Sequence, residues 1–298
     1  FMPQLSVVVP TFNEAGNIAE LRNRVAAALP GIDWEMIYVD DDSPDGTAAT
    51  VRELAQGDSR VRCIQRIGRR GLSSACIEGM LASSAPVVAV IDADLQHDEK
   101  LLPAMFDALR GDDLDVVVGS RYMQGGSMDG WDRTRVATSR FATRLSRLVL
   151  KADLQDTMSG FFMIRRAAVE RCVRAGMSGV GFKILLDLFA TSPEPLRCRE
   201  LPYEFRNRFS GESKLDTMVA WEFFIMLLDH HLGRVVPIRF IAFSLACSVG
   251  ALANVGVATY LFDQRAYWLL SAIAGVLVGA VWNYAVTAVY TWKKPKSG

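Results

Sequence analysis

The sequence predicts an α/β protein: a mostly parallel, doubly wound sheet, followed by an interfacial helix and a two-helix transmembrane hairpin. Three observations carry this. Short apolar, β-branched runs alternate with helically spaced stretches through the N-terminal two-thirds of the chain. Acidic and polar clusters sit at the exits of those runs. Two long segments near the C-terminus hold no charged residue: Phe240 to Phe262 and Ala266 to Trp292. These divide the chain into a cytosolic domain over 1–210, a basic loop and interfacial helix over 211–234, and a hairpin with a basic cytosolic tail over 235–298.

The runs LSVVVP (5–10), WEMIYVD (34–40), Val61–Ile64, Val87–Ile91 and LDVVVGS (114–120) read as strands. Between them, helical spacing covers Asn17–Leu29, Thr47–Ala55, Ser73–Ala82 and Leu101–Leu109. Apolar strands alternating with helices imply a sheet covered on both faces. Ligands of such sheets bind beyond the carboxyl ends of the strands. There the chain places PTFNE after the first strand, DDDSPDGT after the second and DADLQHDE after the fourth. Acids converging from separate strand ends repel unless a cation or hydrogen-bond donors offset them.

Later, WDRTRVATSRFATRLSRLVL is arginine-rich with helical spacing, and Arg140, Arg144 and Arg147 suit a face toward anionic headgroups. DTMSGFFMIRR reads as a loop entering a strand, and RELPYEFRNRFSGESK as a strand leaving into a basic loop. Leu215–Leu232 is too polar to span a bilayer and suits an interfacial helix, with His230 and His231 at the interface; a plain packing helix is the alternative. Each charge-free run exceeds the ~20 residues that cross a hydrocarbon core. Only Asp263, Gln264 and Arg265 separate them, and glycine and alanine are frequent in both. Arg234 and Arg239 before the first, and Lys293, Lys294 and Lys296 after the second, put both ends on the cytoplasmic side. A buried hairpin of a soluble domain is the competing reading.

Composition excludes several classes. The formal net charge is zero, which gives no support to a nucleic-acid partner. The 5 cysteines are scattered at 63, 76, 172, 198 and 247 without a CxxC pair, against a disulfide framework or zinc site and for a reducing compartment. Phe1 precedes Met2, strand-like sequence begins at once, and no cleaved signal peptide is expected.

Asp92, Asp94 and Gln96 are spaced two apart, which on an extended backbone turns all three to one face. Oxygen donors of this kind suit Mg²⁺ or Mn²⁺ shared with a substrate phosphate. Asp40, Asp42 and Asp45 suit turn-shaping. His97 is either a ligand or acid, or a solvated loop residue.

Taken in order, P-x-F-N-E (10–14), V-D-D-D-S-P-D-G-T (39–47), I-D-A-D-L-Q-H (91–97), G-S-R-Y (119–122), D-x-x-S-G-F (156–161) and R-x-x-G-x-S-K (208–214) form a specific set. Over residues 4 to 215 the chain resembles the family-2 inverting glycosyltransferases, within them the dolichol-phosphate mannose synthases and other polyprenyl-phosphate hexosyltransferases. The C-terminal runs resemble the first half of a GtrA-like membrane module, which usually has four spans. The resemblance implies a glycosyltransferase-A-like fold and a cytosol-facing enzyme that moves a hexose from a nucleotide sugar to a polyprenyl or dolichyl monophosphate in a bilayer. Mannose from GDP-mannose is the leading donor, and UDP-glucose or another UDP-sugar the alternative.

It further implies that Pro10, Phe12, Glu14, Val39 and Asp41 hold the nucleoside, Phe12 standing where relatives commonly have tyrosine. Asp92, Ala93, Asp94 and Gln96 match the diphosphate and metal stretch, with Asp92, Asp94 and Gln96 on the ion. Arg121, Arg135 and Ser139 match groups around the lipid phosphate and sugar, and Arg208 and Lys214 the basic residues over the leaving diphosphate. A processive polysaccharide synthase would carry Q-x-x-R-W, a nicotinamide enzyme G-x-G-x-x-G after the first strand, and neither is present. A non-catalytic membrane scaffold has no use for the full motif set. Homo-oligomerisation is left open.

Overall fold

The computed structural model describes residues 2–123, 127–128, 154–157, 159–177, 179, 184–206, 238–264 and 267–290. It divides into two compact units, Phe1–Phe223 and Phe224–Gly298. Arg135, Ser139, Arg208, Lys214, the arginine-rich segment after Trp131, the expected interfacial helix and the basic tail lie outside the described residues.

In the first unit the expected alternation forms: β1 (Leu5–Thr11), α1 (Ile18–Ala28), β2 (Trp34–Asp40), α2 (Thr47–Gly57), β3 (Val61–Gln65), α3 (Leu72–Ala82), β4 (Val87–Val90), α4 (Leu102–Gly111) and β5 (Val116–Ser120). Then come β6 (Ser127–Met128), β7 (Phe162–Arg165), α5 (Arg166–Arg174), α6 (Ile184–Thr191), β8 (Cys198–Pro202) and β9 (Glu204–Phe205). Seven strands make one sheet in the order β3-β2-β1-β4-β7-β5-β8, and β6 pairs with β9 apart from it. All neighbours run parallel except β7, which is antiparallel to both β4 and β5.

The period of two along β1 assigns the layers. Leu5, Val7 and Val9 pack with Ile18, Leu21 and Val25 of α1, Val51 of α2 and Met105 and Phe106 of α4. Val8 faces the other way, toward Ala75 and Met80 of α3, Val169 of α5 and Leu188 of α6. A sheet buried on both faces explains why its strands read as unbroken apolar runs. From β1 the chain steps outward through β2 and β3, then returns to β1's other side as β4. The strand order therefore reverses beside β1, the position where α/β sheets bind ligands.

The second unit holds α7 (Ile238–Asp263) and α8 (Trp268–Tyr290). Gly250 lies against Asn283, and Asn254 against Gly275 and Gly279, so the two helices run antiparallel. Two helices form as expected, but among the described residues only one stretch, Trp268–Ala285 in α8, is long and apolar enough to cross a bilayer. Both expected helices are therefore present, and one of them qualifies as a span among the described residues.

Candidate active site

Four loops meet the carboxyl edge of the parallel strands: those after β1, β2, β3 and β4. Three non-glycine residues there take positive φ: Asn13 at 58°, Asp42 at 55° and Leu95 at 62°. Such backbone costs on the order of 1–3 kcal/mol each and clusters at functional sites. Asn and Asp tolerate it; leucine at Leu95 is the uncommon case.

The loop after β2 is held by its own residues and by those of the neighbouring loops. Asp40 is buried and accepts from the Ser43 amide at 2.9 Å and hydroxyl at 2.5 Å. Asp42 accepts from Gln65 Nε2 at 3.1 Å and the Gly68 amide at 3.3 Å. Asp45 accepts from the Ala15 amide and from the Thr47 amide and hydroxyl. These three acids shape the loop, as expected. Pro10 and Val39 stand opposite each other in the β1–β2 register, and Val39's side chain is wholly within the core.

Asp41 meets donors from within the protein. Arg66, 3% exposed, donates from Nη1 to Asp41 Oδ1 at 2.7 Å, and the Gly71 amide donates to Oδ2 at 2.6 Å. Burial nevertheless pushes this carboxyl above its ordinary range. The charge at β2's exit is answered by the protein itself, from the loop RIGRRG after β3. Sequence reasoning passed over this fourth loop, although its arginines between glycines signal a basic turn. From it Arg70 stacks its guanidinium 4.4 Å from the Phe12 ring centre. Glu14 accepts from Asn17 Nδ2 at 2.7 Å and donates its amide to Thr47 Oγ1 at 3.0 Å.

After β4 the chain turns and does not continue extended. Leu95's positive φ breaks the period-two alternation, so Asp92, Asp94 and Gln96 do not share a face in the manner expected of a strand. They share a turn. Asp94, largely buried like Ala93, accepts from the Gln96 amide at 3.2 Å. Gln96 donates from Nε2 to the Arg206 carbonyl at 3.0 Å and accepts from the Arg206 amide at 2.8 Å. Arg206 also pairs with Asp98 at 2.5 Å and Glu99 at 2.9 Å. The start of the basic loop containing Arg208 is thereby clipped to the D-x-D turn.

His97 is 4% exposed, so it is not a solvated loop residue. Its Nε2 lies 3.1 Å from Asp92 Oδ2 and its Nδ1 2.8 Å from the Tyr203 hydroxyl. Phe161, Tyr203 and Phe205 surround the ring. Burial pushes the Tyr203 phenol well above its ordinary range, so it stays protonated. A side chain at Gly160 would come within 2.8 Å of Asp92 Oδ2, so only glycine leaves room for the carboxylate.

Arg121 is anchored by an acid. Its Nε and Nη2 bind the fully buried Asp156 at 2.8 and 2.9 Å, and its amide donates to the same carboxylate at 3.2 Å. Glu200 in turn accepts from the amides of Gln155 and Asp156 at 2.7 and 2.8 Å. D-x-x-S-G-F is therefore one unit: Asp156 fixes Arg121, Gly160 yields to Asp92 and Phe161 walls His97. Because β7 is antiparallel, the loop before it reaches the same edge as the loops after β4 and β5.

Among the described residues no three His, Cys, Asp or Glu side chains form a metal cage by themselves. Two carboxylates and an amide on one turn nevertheless fit a hard cation whose other positions are filled by a phosphate ligand and water.

The reversed-order sheet with an acidic turn beyond β4 is a fold of the glycosyltransferase-A type. The chain belongs to glycosyl transferase family 2, whose sequence pattern matches residues 6–173. It is similar to the dolichol-phosphate mannosyltransferase of Pyrococcus furiosus, with 32% identity over 99% of this chain and 83% of that protein. The Saccharomyces cerevisiae dolichol-phosphate mannosyltransferase is 35% identical over 76% of this chain and 86% of its own. In fold it is similar to glucosyl-3-phosphoglycerate synthase from Mycobacterium tuberculosis, solved with Mn²⁺, UDP and glucosyl-3-phosphoglycerate (TM-score 0.58, 19% identity, 76% of this chain and 80% of that one).

Proposed function

We propose that the protein transfers mannose from GDP-mannose to a polyprenyl or dolichyl monophosphate at the cytoplasmic face of a membrane. The observation that carries this reading is the similarity, over most of the chain, to proteins named dolichol-phosphate mannosyltransferase. The acidic turn at the point of strand reversal supports it.

An acceptor phosphate oxygen attacks the anomeric carbon from the side opposite the nucleoside diphosphate. The C1–O bond to that phosphate forms as the bond to the diphosphate breaks, inverting the centre. The acceptor is already anionic, so no strong base is required. The protein's tasks are to bring two anions together and to stabilise charge on the departing diphosphate. Asp92, Asp94 and Gln96 would hold Mg²⁺ or Mn²⁺, which supplies positive charge beside the diphosphate. Arg208 and Lys214 would add to that charge from the loop clipped at Arg206. Phe12, with Arg70, offers a flat surface for the base, and Glu14 an acceptor beside it. Arg135 and Ser139 would receive the lipid phosphate. Arg121, held by Asp156, would serve the lipid phosphate and sugar with them. α8 anchors the enzyme where its lipid acceptor resides.

A second reading keeps the chemistry with a UDP-hexose; its support is a fold neighbour solved with Mn²⁺ and UDP-glucose. Purified protein offered GDP-mannose, UDP-glucose and other UDP-sugars, with a polyprenyl phosphate and Mg²⁺ or Mn²⁺, is expected to make a mannolipid identifiable by mass. A hexolipid from a UDP-sugar alone would favour the second reading. No glycolipid from any donor would end both.

A further inference from the structure

We propose that His97, braced by Tyr203, is a positioning residue that fixes the carboxylate of Asp92 for the divalent ion. This rests on the metal reading above. Histidine in a polar loop ordinarily faces water, yet here both ring nitrogens are engaged and the ring is buried. Ring centres of Phe161, Tyr203 and Phe205 lie 5.4, 5.7 and 5.4 Å away, which sets the imidazole plane.

The bonding order follows from the partners. A carboxylate oxygen accepts only, so the Nε2 facing Asp92 Oδ2 must carry a proton. In a neutral ring Nδ1 is then the acceptor, and the Tyr203 hydroxyl donates to it. The direction is thus Tyr203 O–H to Nδ1, and Nε2–H to Asp92. Placing the proton on Nδ1 instead would set two lone pairs against each other across 3.1 Å. The Asp92 carboxylate thereby selects the tautomer, and the Tyr203 hydroxyl, donating to Nδ1, braces the ring in it.

The carboxylate is held from behind on one side only. Gly160 gives it room, His97 grips Oδ2, and the side chain remains 36% exposed, which leaves an open side for a ligand. Partners of this kind, one bond removed from the ion, orient ligating carboxylates, and losing them typically costs 10–100-fold in metal affinity. An aromatic pocket alone would not need a histidine; phenylalanine or leucine would fill it.

The test titrates Mn²⁺ into the full-length protein with GDP present and follows free Mn²⁺ by electron paramagnetic resonance. Wild type is compared with His97→Leu, His97→Gln and Tyr203→Phe, and each variant's thermal unfolding is recorded. Loss of the Nε2–H in His97→Leu should weaken Mn²⁺ binding about 10-fold or more. His97→Gln, which keeps an N–H donor, should recover most of it. Tyr203→Phe keeps the ring packing and should still weaken Mn²⁺, with GDP affinity in metal-free buffer unchanged in all. Tyr203→Phe binding Mn²⁺ like wild type would overturn the proposal even if His97→Leu failed to fold. So would His97→Gln losing as much affinity as His97→Leu. If wild type with GDP binds no Mn²⁺, the metal reading falls and takes this one with it; if wild type binds and the variants match it, only the positioning role falls.

Discussion

Arg121 and Asp94 lie on the same edge of the sheet but fail in different ways when altered. Asp156 is fully buried, so its charge is tolerable only while Arg121 grips it. Removing one partner of a buried pair typically costs about 3–5 kcal/mol, because the remaining charge stays desolvated. Arg121→Met should therefore lower unfolding free energy by roughly that amount in denaturant titrations, before any effect on acceptor binding is read. Asp94 accepts from the Gln96 amide at 3.2 Å, a bond that an asparagine Oδ1 accepts as well. Asp94→Asn should leave the unfolding midpoint near wild type and reduce glycolipid formation by more than about 100-fold, measured at saturating donor. The residue types of the site were legible in the sequence: the D-x-D, the G-S-R-Y and the S-G-F all reach one edge. Their pairings were not. Arg66 answers Asp41 from a loop after a different strand, and Leu95's backbone cancels the alternation that spacing alone suggested.

Among elements, the α7–α8 pair makes the sharpest claim. Gly275 faces Asn254, whose Oδ1 would stand 2.5 Å from any added Cβ, and Gly250 faces Asn283 in the mirrored arrangement. Each asparagine fills the notch left by a glycine on the other helix, the close approach that small residues permit. Gly275→Leu should force the helices apart and destabilise the pair by about 1–3 kcal/mol, read as a lowered thermal midpoint in detergent. Spacing in the sequence revealed α1 to α4 because each buries a stripe. It missed α6, where Ile184, Leu185, Leu186, Asp187 and Leu188 are all buried and leave no polar face to mark a period. It showed that FFMIRR was a strand but could not show that β7 runs backwards, since direction depends on where the chain returns.

For the molecule as a whole, acid is the revealing variable. Two arginines, Arg60 first and Arg22 beside it, hold the Asp58 carboxyl far below the usual carboxylate range despite its burial. Against the upward push of burial, Ser6, Ser84 and Arg62 hold Glu35 low, and Arg197 with Arg171 holds Asp115 low. A carboxyl depressed in the folded state binds protons first in the unfolded chain, at about 3.9 for Asp and 4.3 for Glu. These groups therefore contribute in full above that range, and the contribution drains as pH falls through the folded values. Unfolding midpoints should drop steeply below about pH 4, and Asp58→Asn should flatten that drop. At neutral pH α8 exposes Trp268, Leu270, Leu277 and Val281, an apolar surface with no place in water. The expressed protein should stay with the membrane pellet through alkaline carbonate washing; release into the wash would remove the anchor.

The backward course of β7 has one further consequence. The excursion between β5 and β7 departs from the ligand-facing edge and comes back to that same edge. The antiparallel pairings of β7 with β4 and β5 pin both ends of that connection, so its length does not enter their register. The loops after β1, β2 and β4 are short turns between neighbouring elements and have no such slack. Divergence in length among relatives of this architecture should therefore accumulate in the connection between β5 and β7, while the turns after β1, β2 and β4 keep theirs.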